Sequence, residues 1–317
     1  MKIFNKLKRK GLSQFTLRFF VFLAIIFVLD FSIGRILKSF YFTQDSGLLF
    51  RTTFAMDSTT AQMLIFGSST ANHHYEPHSF ENRLNVSLYN AGRDGNNIFY
   101  HFAVLQGILI RYSPKIAILD FNKLEFAKNP DSYDRITSLL PYYETNPKIR
   151  SIIELKSPYE KYKLLSKIYP FNSILFTVAV GNLDVNKDRK NNNDIDGYIP
   201  ISKVWKNPLS LDTPVLKYEI DSNKVKYFRS FITECIKSDV NLFIVVSPRF
   251  IKYTTEDISI ALAHEISDEF NIPFYDFSND PYFLNHPELF ADISHLNQNG
   301  AKIYSNKVID KILDYHP

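Results

Sequence analysis

The strongest constraint on the fold is a repeated alternation between short apolar runs and longer segments with helical periodicity. Five of the runs predict buried strands, at Gln62–Phe66, Val86–Tyr89, Ile116–Leu119, Asn241–Val246 and Ile272–Tyr275. Helical patterns lie between or after them, at Ile98–Arg111, Val225–Ser238, Glu256–Phe270 and Asn299–Tyr315. Short apolar strands that alternate with helices are typical of a parallel sheet covered on both faces. We therefore expect an α/β, flavodoxin-like three-layer sandwich with about five parallel strands.

The segment 123–222 interrupts this alternation between the third and fourth predicted strands. It is rich in proline and shows a helical pattern only around Tyr159–Ile168. We interpret it as an insertion packed over one end of the sheet. Insertions at such loop positions commonly shape access to a substrate site.

The N-terminus predicts a membrane anchor. Basic residues precede an apolar stretch that, taken from Leu12 to Ile33, reaches the roughly 20 residues needed to cross a bilayer. It includes Arg18 and Asp30 near its ends, where a polar head can reach the interface. The basic residues favour a cytoplasmic N-terminus, which would send the remainder of the chain across the membrane. A cleaved signal peptide or a buried soluble helix are the alternatives, although no clear cleavage site follows Leu29.

These features predict three parts of the chain. Residues 1–37 form a cytoplasmic basic tail and a transmembrane signal anchor, and 38–60 form a connector without strong periodicity. Residues 61–317 form the main domain, which we expect outside the cytoplasmic membrane.

Composition excludes some classes of function. The net charge is +4, and no basic stripe occurs beyond the N-terminal tail, so we expect no nucleic-acid partner. The single cysteine, Cys235, allows neither an internal disulfide nor a cysteine-based metal site. It lies in a helical pattern and is expected to be a small buried residue.

The residues that follow the predicted strands are candidates for chemistry, because ligands of open parallel sheets bind at the carboxyl ends of the strands. Gly67-Ser68-Ser69 follows the first strand and precedes a helix. A hydroxyl at a helix N-terminus lies where backbone N–H groups favour developing negative charge. The alternative is an ordinary serine N-cap.

A second candidate motif is Asp292-Ile293-Ser294-His295, which precedes the last predicted helix. The spacing allows the carboxylate to orient the imidazole, and the imidazole to accept a proton from the Ser69 hydroxyl. The alternative is that Asp292 caps a turn and His295 is a surface residue.

Together the two motifs resemble those of SGNH/GDSL hydrolases over roughly residue 62 to the C-terminus, outside the insertion. The resemblance implies Ser69 as nucleophile, with Asp292 and His295 completing a catalytic triad and no cofactor. Asn90-Ala91-Gly92 matches the family's second block, which implies that the Gly92 N–H is an oxyanion donor.

The family's third block, Gly-x-Asn-Asp, is only partly present. The segment Asp120-Phe121-Asn122-Lys123 retains the asparagine but has Asp120 for the glycine and Lys123 for the aspartate. The resemblance implies an oxyanion hole formed by Ser69, Gly92 and Asn122.

Three further polar residues could line a substrate cleft. His73 and His74 follow the serine turn, and neighbouring histidines cannot share one helix face, so we expect no metal site there. Arg249 follows the fourth strand and either binds an anionic or hydroxyl-rich substrate or is a charged loop residue.

The resemblance extends to membrane-tethered SGNH proteins that add, move or remove ester groups on cell-surface glycans. These include alginate-type O-acetyltransferases and proteins that help to D-alanylate teichoic acids. We expect ester hydrolysis or acyl transfer on a cell-surface polysaccharide through an acyl-enzyme. The main alternative is a non-catalytic glycan-binding or assembly factor beside a multispanning membrane acyltransferase, and a soluble lipase-like esterase is a third possibility.

Overall fold

A single parallel sheet organises the chain. The computed structural model describes residues 2–182, 195–208, 210–211 and 218–315, with the side chains of 2–10 and 210–211 left out. The strands, in chain order, are β1 Met63–Gly67, β2 Leu88–Asn90, β3 Ile116–Asp120, β4 Ser210–Leu211, β5 Asn241–Val246, β6 Ile251–Lys252 and β7 Phe274–Asp276. The main sheet has the order β2-β1-β3-β5-β7, and each of its neighbouring pairs is parallel. Strands β4 and β6 form a separate two-stranded pair.

Helices cover both faces of the sheet. They are α1 Lys2–Phe42, α2 Gly47–Asp57, α3 Ser69–His74, α4 Pro77–Leu84, α5 Ile98–Leu109, α6 Pro130–Asp134, α7 Arg150–Glu154, α8 Glu160–Lys163, α9 Leu175–Gly181, α10 Ser222–Lys237, α11 Ile258–Glu269, α12 Pro281–Leu284 and α13 Gln298–Leu313. Short 3₁₀ helices lie at Arg135–Tyr142, Pro147–Ile149, Tyr169–Ile174 and Pro287–Leu289.

The alternation of side chains along β1 explains the two apolar layers. Leu64 and Phe66 point into a core shared with α2, α5, α10 and α11, whereas Met63 and Ile65 point into a core shared with α3, α4 and α13. The predicted α/β three-layer sandwich with five parallel strands is confirmed.

The strand register brings the carboxyl ends of β1 and β3 to the same edge of the sheet, beside β5. Gly67 at the end of β1 pairs with Asp120 at the end of β3, and Asp120 pairs with Val245 of β5. The segments that follow these strands therefore start at the same level of the sheet, which places the Ser69 turn beside the Asn122 loop.

The N-terminal apolar stretch is part of one continuous helix. Within α1, the section Gly11–Phe42 is long and apolar enough to cross a membrane. Every side chain from Leu12 to Leu29 is exposed in the isolated chain. The structure is consistent with a single-pass anchor, while its orientation stays a prediction.

The segment 38–60 differs from the expected connector without periodicity, because most of it is helical and packed on the domain. Tyr41 near the end of α1 is buried, and its ring packs against Tyr142 and Phe171 of the insertion. Helix α2 contributes Ala55 and Met56 to the core. Aromatic residues that look irregular in sequence here are core residues. The division of the chain at 37 and 60 stays a prediction.

The described residues of the insertion 123–222 pack against two different parts of the molecule. Its first part packs against α1 and α5 on one side of the molecule, and its helical content near Tyr159–Ile168 is limited to α8. Its later part returns to the sheet, where the Ile199 N–H donates to the Asn72 carbonyl and the Asp196 carbonyl accepts from the Asn90 N–H. This later part therefore contacts Asn72 of α3, which follows β1, and Asn90 at the end of β2.

Gly67 is a position that tolerates no side chain. Its φ is +149°, and a Cβ there would lie 2.7 Å from the Ala71 Cβ and 2.9 Å from the Asp120 Cβ. We expect Gly67→Ala to lower the free energy of unfolding by about 2 kcal/mol or more, because overpacking adds to backbone strain.

Gly47→Ala is the matched control. Gly47 also has positive φ, +83°, but a Cβ there would meet no atom within 4 Å. Gly47→Ala should lower the free energy of unfolding by only about 1 kcal/mol, which is the cost of the backbone strain. Denaturant unfolding of both variants in detergent would measure the difference, and equal losses would contradict a steric role for Gly67.

Candidate active site

The serine turn follows directly from the end of β1. Ser68 occupies the N-cap position of α3, but its side chain makes no capping hydrogen bond. Ser69 is the first helical residue, so its backbone N–H has no acceptor within the helix. Both serines are partly exposed, which leaves the Ser69 hydroxyl open to a ligand.

The structure brings Ser69, His295 and Asp292 together. Ser69 Oγ lies 2.8 Å from His295 Nε2, and both Asp292 carboxylate oxygens lie 3.0 Å from His295 Nδ1. A carboxylate can only accept hydrogen bonds, so Nδ1 carries the hydrogen and Nε2 is free to accept from the serine hydroxyl. This tautomer is the one a general base requires.

Asp292 is held as an anion. Burial alone would raise its pKa, but hydrogen bonds from the His295 ring and the Ser294 N–H outweigh it and lower the pKa below the usual value. The backbone N–H groups of Ser294 and His295 both donate to Asp292 Oδ1, at 2.7 and 2.9 Å. The backbone of this short loop therefore holds the Asp292 carboxylate in place independently of its contact with the imidazole.

The two neighbouring histidines have different environments. His74 is fully buried, so its predicted place in a substrate cleft is wrong. Its Nε2 accepts the Leu296 N–H at 2.9 Å, which ties α3 to the residue after His295. Burial, reinforced by the nearby His295 and His73 rings, lowers the pKa of His74 well below its usual value and keeps it neutral.

His73 lies at the edge of the site. Its Nδ1 lies 2.7 Å from the Ile199 carbonyl, and its Nε2 lies 3.5 Å from an Asp94 carboxylate oxygen. Its ring centroid is 5.3 Å from that of His295. The later part of the insertion therefore contacts a residue beside the triad.

Asn122 presents an unused donor near the serine turn. Its Oδ1 accepts from Thr70 Oγ1 at 3.1 Å and from Arg249 Nη2 at 3.0 Å. A guanidinium can only donate, so the arginine fixes which end of the amide faces it. The Asn122 Nδ2 group is buried and has no hydrogen-bond partner within the part of the chain that the structure describes. Arg249 thus contacts Asn122 directly.

Gly92 differs from its expected role. Its N–H donates to Asn90 Oδ1 at 2.9 Å, so this hydrogen is already bonded within its own loop. The same asparagine donates from Nδ2 to the Ala71 carbonyl at 2.7 Å. The loop after β2 therefore supports α3 through Asn90, and the Gly92 N–H is not free to bind an oxyanion in this conformation.

Several supporting residues could not be identified from sequence. Asn72 Oδ1 accepts from Arg51, and Asn72 Nδ2 donates to Asp94, each at 2.7 Å. Arg51 also contacts the Gly197 carbonyl of the insertion. Hydrogen bonds from His73 and Asn72 lower the pKa of Asp94 to about 2, the largest contribution being that of His73. No motif marks this network, because its members come from four separate segments.

Asp120 is the second unexpected feature. It is fully buried, and Oδ1 accepts from Ser247 at 2.7 Å and from Tyr75 at 3.1 Å, while Oδ2 has no partner among the described residues. Burial raises its pKa to about 6 despite these hydrogen bonds. The Asp120 carboxyl group therefore points into the core beneath the site.

No group of three or more histidine, cysteine, aspartate or glutamate side chains within the described ranges is arranged to hold a metal ion.

Comparisons with known proteins do not define an activity for this chain. No family model and no curated protein matches the chain. Among solved structures, an acetyl xylan esterase, AlAXEase, aligns with a TM-score of 0.39 and 12% sequence identity, over 79% of this chain and 99% of that chain. A likeness at this level does not define an activity, so the function has to be inferred from the side chains.

We expect Asp120→Asn to change how stability depends on pH. The native pKa of about 6 exceeds the ordinary value of 3.8, so the native state binds the proton more tightly than the unfolded chain. Below pH 4 Asp120 contributes its full stabilisation. As the pH rises through 6 this contribution is lost, and the free energy of unfolding falls by at most about 3 kcal/mol. The variant should therefore gain stability relative to the unmodified protein between pH 4 and 8.

Denaturant unfolding across this pH range measures the effect. Asp131→Asn, at an exposed position, provides the background. A stability difference for Asp120→Asn that stays constant with pH would contradict the raised pKa.

Proposed function

We propose that the protein is a serine esterase or O-acyltransferase of the SGNH/GDSL type. The observation that carries this proposal is the hydrogen-bonded series from Ser69 Oγ through the His295 ring to Asp292. Its members come from the end of β1 and from the loop before α13, at positions where two independent sequence motifs predicted them. A serine N-cap and a surface histidine would not require this alignment.

In the proposed first step, Ser69 Oγ attacks the carbonyl carbon of an ester while His295 Nε2 accepts the hydroxyl proton. Asp292 stabilises the imidazolium that forms and holds its orientation. His295 then donates the proton to the departing alcohol, and the ester bond breaks. The product is an acyl group on Ser69 and a free hydroxyl on the original substrate.

The negative charge that develops on the carbonyl oxygen needs donors. We assign the Ser69 backbone N–H and the Asn122 Nδ2 group to this role, because neither has a hydrogen-bond partner among the described residues that it would have to give up. The Gly92 N–H would have to break its bond to Asn90 before it could contribute. Arg249 acts through Asn122, since it holds the amide oxygen and leaves the nitrogen free for the ligand.

Water or a sugar hydroxyl would release the acyl group, with His295 again accepting a proton. A water acceptor gives hydrolysis and a sugar acceptor gives transfer. The anchor and the partly exposed serine support a large substrate near a membrane, which we propose to be an acylated cell-surface glycan. A multispanning membrane acyltransferase is the partner that a transfer reaction would need if the acyl donor comes from the other side of the membrane.

The nucleophile assignment is tested with a fluorophosphonate probe and with 4-nitrophenyl acetate. Ser69→Ala should abolish both labelling and turnover because it removes the attacking oxygen. Ser68→Ala is the matched control, and its hydroxyl makes no capping bond, so labelling should persist.

Full labelling of Ser69→Ala would refute the assignment. Absence of labelling in the unmodified, folded protein would instead favour a non-catalytic glycan-binding or assembly factor with this fold.

Asn122→Ala should reduce kcat by about 10²–10³, the loss typical of a missing oxyanion donor. Arg249→Met should also reduce kcat, with little change in KM. If Arg249 acts through Asn122, the double variant should be no slower than Asn122→Ala alone. Steady-state kinetics of the four proteins gives the answer. Additive losses with a raised KM for Arg249→Met would indicate direct substrate binding by the arginine.

A further inference from the structure

The insertion is attached to α1 at the end of the apolar stretch. Asp30 Oδ1 accepts from Ser166 Oγ at 2.5 Å, and Asp30 Oδ2 accepts the Lys167 N–H at 2.7 Å. One turn later, Gly34 lies against the Lys167 backbone, where a Cβ would come within 2.4 Å of the carbonyl carbon. The insertion and the helix are therefore in direct contact here. These bonds fix the position of Ser166 and Lys167 along the axis of α1.

The length of the helix places this contact at a membrane boundary. From Leu12 to Leu29 the helix extends about 27 Å at 1.5 Å per residue, close to the roughly 30 Å hydrocarbon core of a bilayer. If these residues cross the membrane, Asp30 lies at the edge of the hydrocarbon. Ser166 and Lys167, which bind Asp30, must then lie at that edge as well.

The insertion exposes large apolar side chains on both sides of this contact along the chain. Leu165, the residue before Ser166, is 74% exposed, and Phe176 in α9 is 82% exposed. Both values exceed that of any other large apolar side chain in the described residues, those of the apolar stretch included. We call the exposed group of residues the insertion surface, and it comprises Tyr159, Tyr162, Leu165, Leu175 and Phe176.

Helix α9 is held alongside α1. Asn182, just after α9, donates from Nδ2 to the Phe40 carbonyl at 3.0 Å, and Gly181 packs against the Gln44 side chain. Ile33, Ile36 and Phe40 on α1 are themselves exposed. Helix α9, which carries Leu175 and Phe176, therefore packs against α1 beyond the apolar stretch.

The polar residues of this surface suit a lipid interface. Lys161 and Lys163 alternate with the exposed tyrosines, and Lys161 Nζ lies 5.0 Å from the centre of the Tyr162 ring. Tyrosine is enriched at the head-group level of membranes, and lysine there reaches lipid phosphates while its stem stays among apolar groups. A water-exposed surface rarely combines such large apolar side chains in one place.

We propose that the insertion surface lies in the interfacial layer of the membrane that α1 crosses. Leu165 and Phe176 enter the layer between head groups and acyl chains, and Lys161 faces lipid phosphates. The occupant is lipid because Leu165 directly precedes Ser166, which its hydrogen bond to Asp30 holds at the end of the apolar stretch. This proposal depends on α1 crossing a membrane and is independent of the proposed chemistry.

Depth measurement by spin labelling tests the proposal in the full-length chain. Leu165→Cys and Phe176→Cys each add one accessible thiol, because the native Cys235 is fully buried. The labelled proteins are placed in nanodiscs of phosphatidylcholine and phosphatidylglycerol. Power saturation then compares accessibility to oxygen, which concentrates in lipid, with accessibility to a water-soluble nickel chelate.

Two matched variants calibrate the measurement. Val21→Cys lies within the apolar stretch and gives the lipid value, and Leu313→Cys, 49% exposed near the end of α13, gives the water value. We expect an oxygen-to-nickel ratio at 165 and at 176 that is severalfold above the value at 313 and approaches that at 21. The unmodified protein should take up no label.

A ratio at either position equal to that at 313 would overturn the proposal. Low accessibility to both reagents would also overturn it, because it would indicate a protein–protein contact in place of lipid. Near-ultraviolet circular dichroism of each variant confirms that the fold is retained. Esterase activity takes no part in the readout, so failure of the proposed chemistry would leave this result unaffected.

Discussion

The hydrogen bond from the Leu296 N–H to His74 Nε2 is the contact on which the site depends. Helix α3 has only six residues, and it carries Ser69 at its start and His74 at its end. Leu296 directly follows His295, so one short helix both presents the hydroxyl and holds the segment that bears the imidazole. The bond requires a neutral His74, and burial ensures that state by lowering its pKa. A charged histidine would lose the acceptor and release the loop.

Much of the fold and part of the site could be predicted from sequence, because both depend on local patterns. The five strands produce continuous apolar runs, and parallel pairing then places the residues after β1 and β3 at one edge. Burial of particular polar residues could not be predicted in this way. His74 and Asp120 are polar residues whose surroundings come from α13, β5 and the loop after β5. Likewise, the Gly92 N–H is bonded to Asn90, which a motif match cannot show.

The segment from Asp120 to Lys123 shows how neighbouring side chains can take unrelated partners. Asp120 points into the core, and Lys123 Nζ lies 4.2 Å from the centre of the Tyr253 ring. The Asn122 side-chain oxygen accepts hydrogen bonds from Thr70 and Arg249. An arginine from the loop after β5 thus supports a loop after β3. Since such support comes from a distant segment, the local sequence around Asn122 contains no sign of it.

The continuity of α1 with the core has a consequence for how such a chain would meet its substrate. The helix runs from the apolar stretch to Tyr41 without a break, and Tyr41 is packed between insertion residues. A domain on a flexible tether can take many positions and orientations around its anchor. A domain joined by a continuous helix would instead keep a constant distance from the membrane and a constant orientation to it. Its encounters would then be governed by lateral diffusion in two dimensions. If α1 crosses a membrane and the substrate is the proposed glycan, Ser69 would reach only those ester groups that lie at one fixed distance from the membrane surface.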